Sequence, residues 1–227
     1  MKKIIRIWDL PIRLFHWILV ICIIASVISV NLGGNAMQWH AYCGYTILAL
    51  LIFRIIWGLL GSTHARFANF LPAKATLLAY LSGKSQAVLG HNPLGALSIL
   101  GLLTVLLIQA ITGLFADDEI AFQGPFAKYV SETVIGIFSQ IHEANANVIY
   151  GLIALHLAAI FYYQKIKGEN LIKPMFTGDK EIDPSEEAKY SPTVLGQASK
   201  DGGLQRGLAL LLLSVVAIVL GYFITSS

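Results

Sequence analysis

The side chains with the greatest chemical potential in this sequence are histidines. Six are present, and four of them, His16, His40, His142 and His156, fall within long apolar stretches. Ionisable groups in such surroundings are costly and mark functional sites. Taken singly, each fits equally well as an isolated imidazole hydrogen-bonded to a neighbouring helix. Spacing adds information. His142 and His156 are fourteen residues apart; on a helix this is about 21 Å along the axis and about 40° short of four turns, so both rings face nearly the same way.

The elements that must position these rings are membrane helices. Of 227 residues, 56% are hydrophobic and 13% charged, against about 25% charged in a soluble domain. The mean hydropathy of +0.69 agrees and excludes a soluble cytosolic enzyme, while the blocked apolar pattern excludes a disordered or fibrous chain. Cys22 and Cys43 are the two cysteines. They provide neither a disulfide framework nor a cysteine-rich metal site. The C-x-x-C-H sequence of covalent haem attachment is absent. Stretches of about 20 apolar residues span a bilayer, and five are expected: Leu14–Val30, Trp39–Leu60, Leu94–Ala116, Ala144–Gln164 and Leu208–Thr225.

Lysine and arginine favour the cytoplasmic side. Fifteen of the sixteen basic residues fall on one side of this arrangement, and the connection Asp117–Glu132 on the other side is acidic. The chain therefore reads as a multi-pass protein with its N-terminus in the cytoplasm and its C-terminus outside. The basic N-terminus before an apolar run is signal-like. Arg13 and His16 interrupt that run and no small-residue cleavage pattern follows, so it is expected to remain as a span. Phe70–Leu81 reads as a short interfacial helix, and Lys167–Gly203 as an exposed polar loop.

In this topology His16 and His156 share the inner level, and His40 and His142 the outer one. Two imidazoles facing each other between helices suit a haem iron with two axial nitrogen ligands. Gly44 and Ala146, each four residues beyond an outer histidine, leave room for a flat macrocycle; small residues also serve ordinary helix packing. One tetrahedral zinc site fits less well, because the histidines separate into two levels. A proton relay lacks carboxylates within the spans. His64 and His91 read as surface or capping residues. Arg13, Arg54 and Arg66 are placed for haem propionates or quinone-side contacts, and equally as basic residues that only set orientation.

The chain resembles bacterial membrane cytochromes b, the superfamily of cytochrome b561 and of the cytochrome b subunits of nickel–iron hydrogenases. The resemblance is carried by Ile7-Trp8-Asp9-Leu10-Pro11, Arg13-Leu14-Phe15-His16-Trp17, His40-Ala41-Tyr42-Cys43-Gly44, and Arg54 through Trp57-Gly58. It continues through Gly61-Ser62-Thr63-His64-Ala65-Arg66-Phe67, Gly90-His91-Asn92-Pro93, Gln109 through Thr112-Gly113, His142-Glu143-Ala144 with His156, and Lys167-Gly168-Glu169-Asn170-Leu171. It covers about residues 5–178. It implies a four-helix core with two non-covalent b haems on the named histidines. It also implies electron exchange between membrane quinone and an outer partner, often a hydrogenase or a periplasmic cytochrome c.

The expected fold is an all-α integral membrane protein, a four-helix transmembrane bundle binding two haems, with a fifth C-terminal span. Residues 1–178 form the diheme domain, 179–207 a polar cytoplasmic loop, and 208–227 the extra helix; nothing in 179–227 suggests chemistry. The expected function is electron transfer in the bacterial inner membrane, with Asp117–Glu132 as the place to seek partner contacts. Two alternatives stand beside it: an anchor subunit of a nickel–iron hydrogenase or other periplasmic dehydrogenase, and a haem-free transporter with a histidine relay.

Overall fold

Apolar runs with few charges drive the chain into long helices, because a backbone in hydrocarbon must satisfy its own hydrogen bonds. The computed structural model describes residues 2–84, 87–120 and 122–226. Among these, strand β1 (Lys3–Arg6) precedes helices α1 (Leu10–Leu32) and α2 (Met37–Leu60). The short α3 (Phe67–Phe70) and α4 (Lys74–Leu81) lead to α5 (Pro93–Gly113) and α6 (Glu132–Lys165). Then come α7 (Ile172–Thr177), β2 (Asp179–Ile182), α8 (Pro192–Leu195) and α9 (Gly203–Thr225). Helices α1, α2, α5, α6 and α9 are long and apolar enough to cross a membrane. Large apolar side chains such as Ile21, Leu155, Leu210 and Ile218 remain exposed on them, as expected of a surface facing lipid. The protein is an all-α multi-pass membrane protein.

The chain divides into two compact units. The first contains residues 1–14, 55–100 and 155–209; the second contains 15–54, 101–154 and 210–227.

In the first unit, α1 starts at a buried cap. Asp9 is fully buried; its Oδ1 accepts from the N–H of Ile12 at 2.8 Å and its Oδ2 from Trp57 Nε1 at 3.0 Å. It thus serves as N-cap and also ties the start of α1 to α2. Asn92 caps α5 in the same manner, accepting from Gly95 N–H at 2.8 Å, with Pro93 supplying the preset φ of a first helical residue.

Two expectations are corrected in this unit. The helix expected over Phe70–Leu81 breaks: Phe70 ends α3, Leu71 is extended at ψ 118°, and α4 begins at Lys74. Pro72 is the cause, because its ring drives the preceding residue out of the helical region.

The stretch Lys167–Gly203 is largely exposed, as expected, but is folded rather than a loop. β2 pairs antiparallel with β1, Lys3 opposite Ile182 and Arg6 opposite Asp179. The turn into β2 needs a glycine: Gly178 has φ +89°, its carbonyl accepts from Ile7 and Trp8, and a Cβ there would lie 2.6 Å from the Trp8 carbonyl oxygen. Arg6 donates to Asp179 and Asp201, each at 2.6 Å, and Asp201 also accepts from Leu10 N–H and Arg206. Ser199 donates to the Ile7 carbonyl at 2.5 Å and its N–H to the Arg6 carbonyl at 2.7 Å. The fold here comes from pairing with the distant N-terminus.

Helix ends also shift outward from the apolar runs. α6 starts at Glu132, twelve residues before Ala144, because no proline interrupts the segment. α9 starts at Gly203, ahead of Leu208.

Candidate cofactor site

In the second unit α2 and α6 bring two imidazoles face to edge. The rings of His40 and His142 have centroids 6.1 Å apart and planes at 76°. Two imidazoles bonded to one metal ion, at about 2 Å on each side, have ring centres about 6 Å apart.

Each ring is anchored through the same nitrogen. His40 Nδ1 lies 3.0 Å from both the carbonyl and the hydroxyl oxygen of Ser26 on α1. His142 Nδ1 lies 3.0 Å from the Gln109 carbonyl and 3.2 Å from Thr112 Oγ1 on α5. A carbonyl can only accept, so Nδ1 carries the proton in both rings. Their Nε2 atoms are then bare lone pairs when the imidazoles are neutral, the form a metal requires. The Thr112 hydroxyl donates to the Ile108 carbonyl at 2.8 Å, which leaves its oxygen to accept from His142.

The approach of His142 to α5 depends on Gly113. A Cβ at that position would stand 2.9 Å from His142 Cε1, closer than packed atoms tolerate. One turn along α6 the buried Asn145 clips the same two helices, donating to the Val105 carbonyl at 2.9 Å and Gln109 Oε1 at 2.8 Å. The rings are therefore held from α1 and α5 while standing on α2 and α6.

A cavity of ≈ 470 Å³ opens beside them, lined by His40, His142, Gly44, Ala146, Tyr45 and Leu106 among others. Gly44 faces open space, with nothing within 4 Å of where a Cβ would sit. Opposed imidazoles anchored through Nδ1, small residues beside each and a mostly apolar lining suit a flat iron macrocycle held by two nitrogens. Its iron would supply one-electron chemistry without a covalent link to the chain.

The remaining residues singled out from sequence divide between the two units. His16, on α1 in the second unit, stands edge-on to Trp17 with centroids 4.9 Å apart. His156, on α6, belongs to the first unit. Arg13 donates from Nη1 to the Phe176 carbonyl at 2.6 Å and lies 3.6 Å from Asp201, so it shares the polar knot around β1. Arg54 is buried on α2 at 3% exposure, and Arg66 is exposed just before α3.

His64 and His91 pack in the first unit. His91 lies 4.6 Å from the Trp8 ring and 4.8 Å from Phe70 by centroid. His64 Nε2 donates to the Gln197 carbonyl at 2.6 Å, and burial pushes its pKa down. Both serve packing around β1.

Sequence reasoning did not single out Ser26 or Asn145 and assigned Thr112 no role. The available signal was polar residues standing in otherwise apolar spans, where each needs a partner.

A family model described as prokaryotic cytochrome b561 matches residues 7–178. The chain is similar to a probable Ni/Fe-hydrogenase B-type cytochrome subunit of Azotobacter chroococcum mcd 1, 22% identical over 68% of this chain and 80% of that protein. A protein of Rhizobium leguminosarum bv. viciae with the same description is 20% identical over 79% of this chain and 90% of its own length. A probable Ni/Fe-hydrogenase 1 B-type cytochrome subunit of Escherichia coli (strain K12) is 22% identical over 56% and 66% respectively. With its five spans and opposed histidines, the chain belongs to the prokaryotic cytochrome b561 family, membrane cytochromes that carry electrons on haem b.

Proposed function

We propose that this protein passes electrons across the bacterial inner membrane on two b haems, between the quinone pool and a redox protein on the periplasmic side. The observation that carries the reading is the His40–His142 pair, with both Nδ1 atoms bonded to carbonyl oxygens and both Nε2 atoms left for iron. These residues bind and orient the outer haem; Gly44, Gly113 and Ala146 leave it space. His16 and His156 are the ligands of the inner haem on this reading, and Arg13, Arg54 and Arg66 are its candidate propionate or quinone-side contacts. Residues 1–178 hold the two haems, residues 179–207 lie on the cytoplasmic side, and 208–227 form an additional span.

Orientation follows from charge. Of the sixteen lysines and arginines, all but Arg54 and Lys128 lie in the first unit. Under the positive-inside rule this supports a cytoplasmic side for the basic segments 2–13, 66–84 and 165–206, and a periplasmic side for the acidic connection Asp117–Glu132.

The names of the relatives favour a hydrogenase as the periplasmic partner. On that reading the protein anchors the hydrogenase and draws its electrons towards quinone; a soluble cytochrome c is the other candidate partner.

The test is spectroscopic. Purified protein is expected to show low-spin bis-imidazole haem bands on reduction, two haems per chain, and reduction by quinol analogues in membranes. Protein folded in detergent but free of haem would contradict the reading and leave the histidine-relay transporter.

A further inference from the structure

We propose that three carboxylates, Asp117, Asp118 and Glu143, bias the His40–His142 site towards its oxidised state and so lower its reduction potential. This rests on the haem reading above. All three line the cavity that contains the two histidines, and no lysine or arginine does so among the described residues. Asp117 is fixed in place. Its carboxylate accepts from Glu119 N–H at 2.7 Å and Gln123 Nε2 at 2.9 Å, and its own N–H donates to Ser139 on α6 at 3.0 Å. Asp118 Oδ1 accepts from the N–H groups of Ile120 and Phe122 at 3.0 and 2.8 Å. Glu143 follows His142 directly and is exposed on α6.

Among the described residues neither Asp117 nor Glu143 forms an ion pair. Their charge is thus not offset by a paired cation. Ferric iron carries one positive charge more than ferrous iron. Fixed negative charge beside a mostly apolar cavity stabilises the more positive state, and it does so more strongly than in water. A site biased in this way yields its electron readily.

The experiment is a redox titration of the purified haem-loaded protein, followed by absorbance. It compares wild type with Asp117→Asn, Asp118→Asn, Glu143→Gln and the triple variant. The component of interest is the one missing from the His40→Ala spectrum. Its potential is expected to rise in each variant. In the triple variant the ferric-to-ferrous ratio at fixed ambient potential should fall at least tenfold, which for one electron is about 59 mV. The other component should stay in place. An unmoved or lowered potential with haem content intact overturns the inference. Glu143→Gln, on an exposed helix face, keeps the test available if the aspartate variants misfold. Undiminished haem in His40→Ala would instead overturn the site reading beneath it.

Discussion

His40 and His142 stand with ring centroids 6.1 Å apart, and each turns Nδ1 to a carbonyl oxygen on a third or fourth helix. Four helices therefore contribute to one pair of imidazoles. A hydrogen bond of this kind contributes only about 1 kcal/mol net. Its larger effect is to select the tautomer that leaves Nε2 bare and to fix the ring before metal arrives.

Gly113→Ala tests this preorganisation. The added methyl would meet His142 Cε1 at 2.9 Å, and relief requires the ring or α5 to move, a cost of about 1–3 kcal/mol. The expected result is a clear drop in haem per chain with helix content preserved, measured by haem extraction and circular dichroism. Wild-type haem content would show that the ring tolerates the methyl.

Asp9 makes a separate, haem-independent prediction. Replacing it with alanine removes the cap of α1 and leaves Trp57 Nε1 without its carboxylate acceptor. The expected loss is about 2–4 kcal/mol, seen as a lower thermal midpoint in detergent. Asp9→Asn, which retains an acceptor oxygen for Ile12, should lose less.

The polar knot around β1 gives a pH dependence. Burial alone would raise the Asp201 carboxyl, but hydrogen bonds from Arg206, Leu10 N–H and Arg6 outweigh it and hold its pKa below the usual range. A folded-state value below the unfolded one contributes stability at pH above about 4, and that contribution is lost as the pH falls further. Limited proteolysis with an acid-active protease should therefore find the segment 179–202 protected near pH 5 and cleaved faster towards pH 3. Asp201→Asn should lessen that dependence and expose the segment already at pH 5.

His156→Ala tests the second ligand pair. Loss of about half the haem, with the His40–His142 component unchanged in its spectrum, is expected. Full haem content would remove His156 from the ligand set.

The spans were legible because hydrocarbon imposes a simple requirement, and His40 and His142 because the second and fourth spans start from the same side and each carries its histidine near that start. Asp9 ahead of Pro11 carries the residue type of an N-cap; its bond to Trp57, 48 residues on, depends on packing that no local pattern encodes. The pairing of Lys3–Arg6 with Asp179–Ile182 was hidden for the same reason. Both segments are short and charged, and neither has the apolar alternation that marks a strand. The break at Pro72 was readable from the proline itself, and so was the N-terminal extension of α6 to Glu132, which carries Val134, Ile135, Ile137, Phe138 and Ile141 at helical spacing.

The central claim is that His40 and His142 hold one iron porphyrin between them. The most direct measurement is haem per chain, with reduced-minus-oxidised spectra, in wild type, His40→Ala and His142→Ala. Either substitution is expected to remove the same component and about half the haem, and the double variant is expected to lose no more than either single one. Two different components lost, or no haem lost from either variant, would contradict the claim.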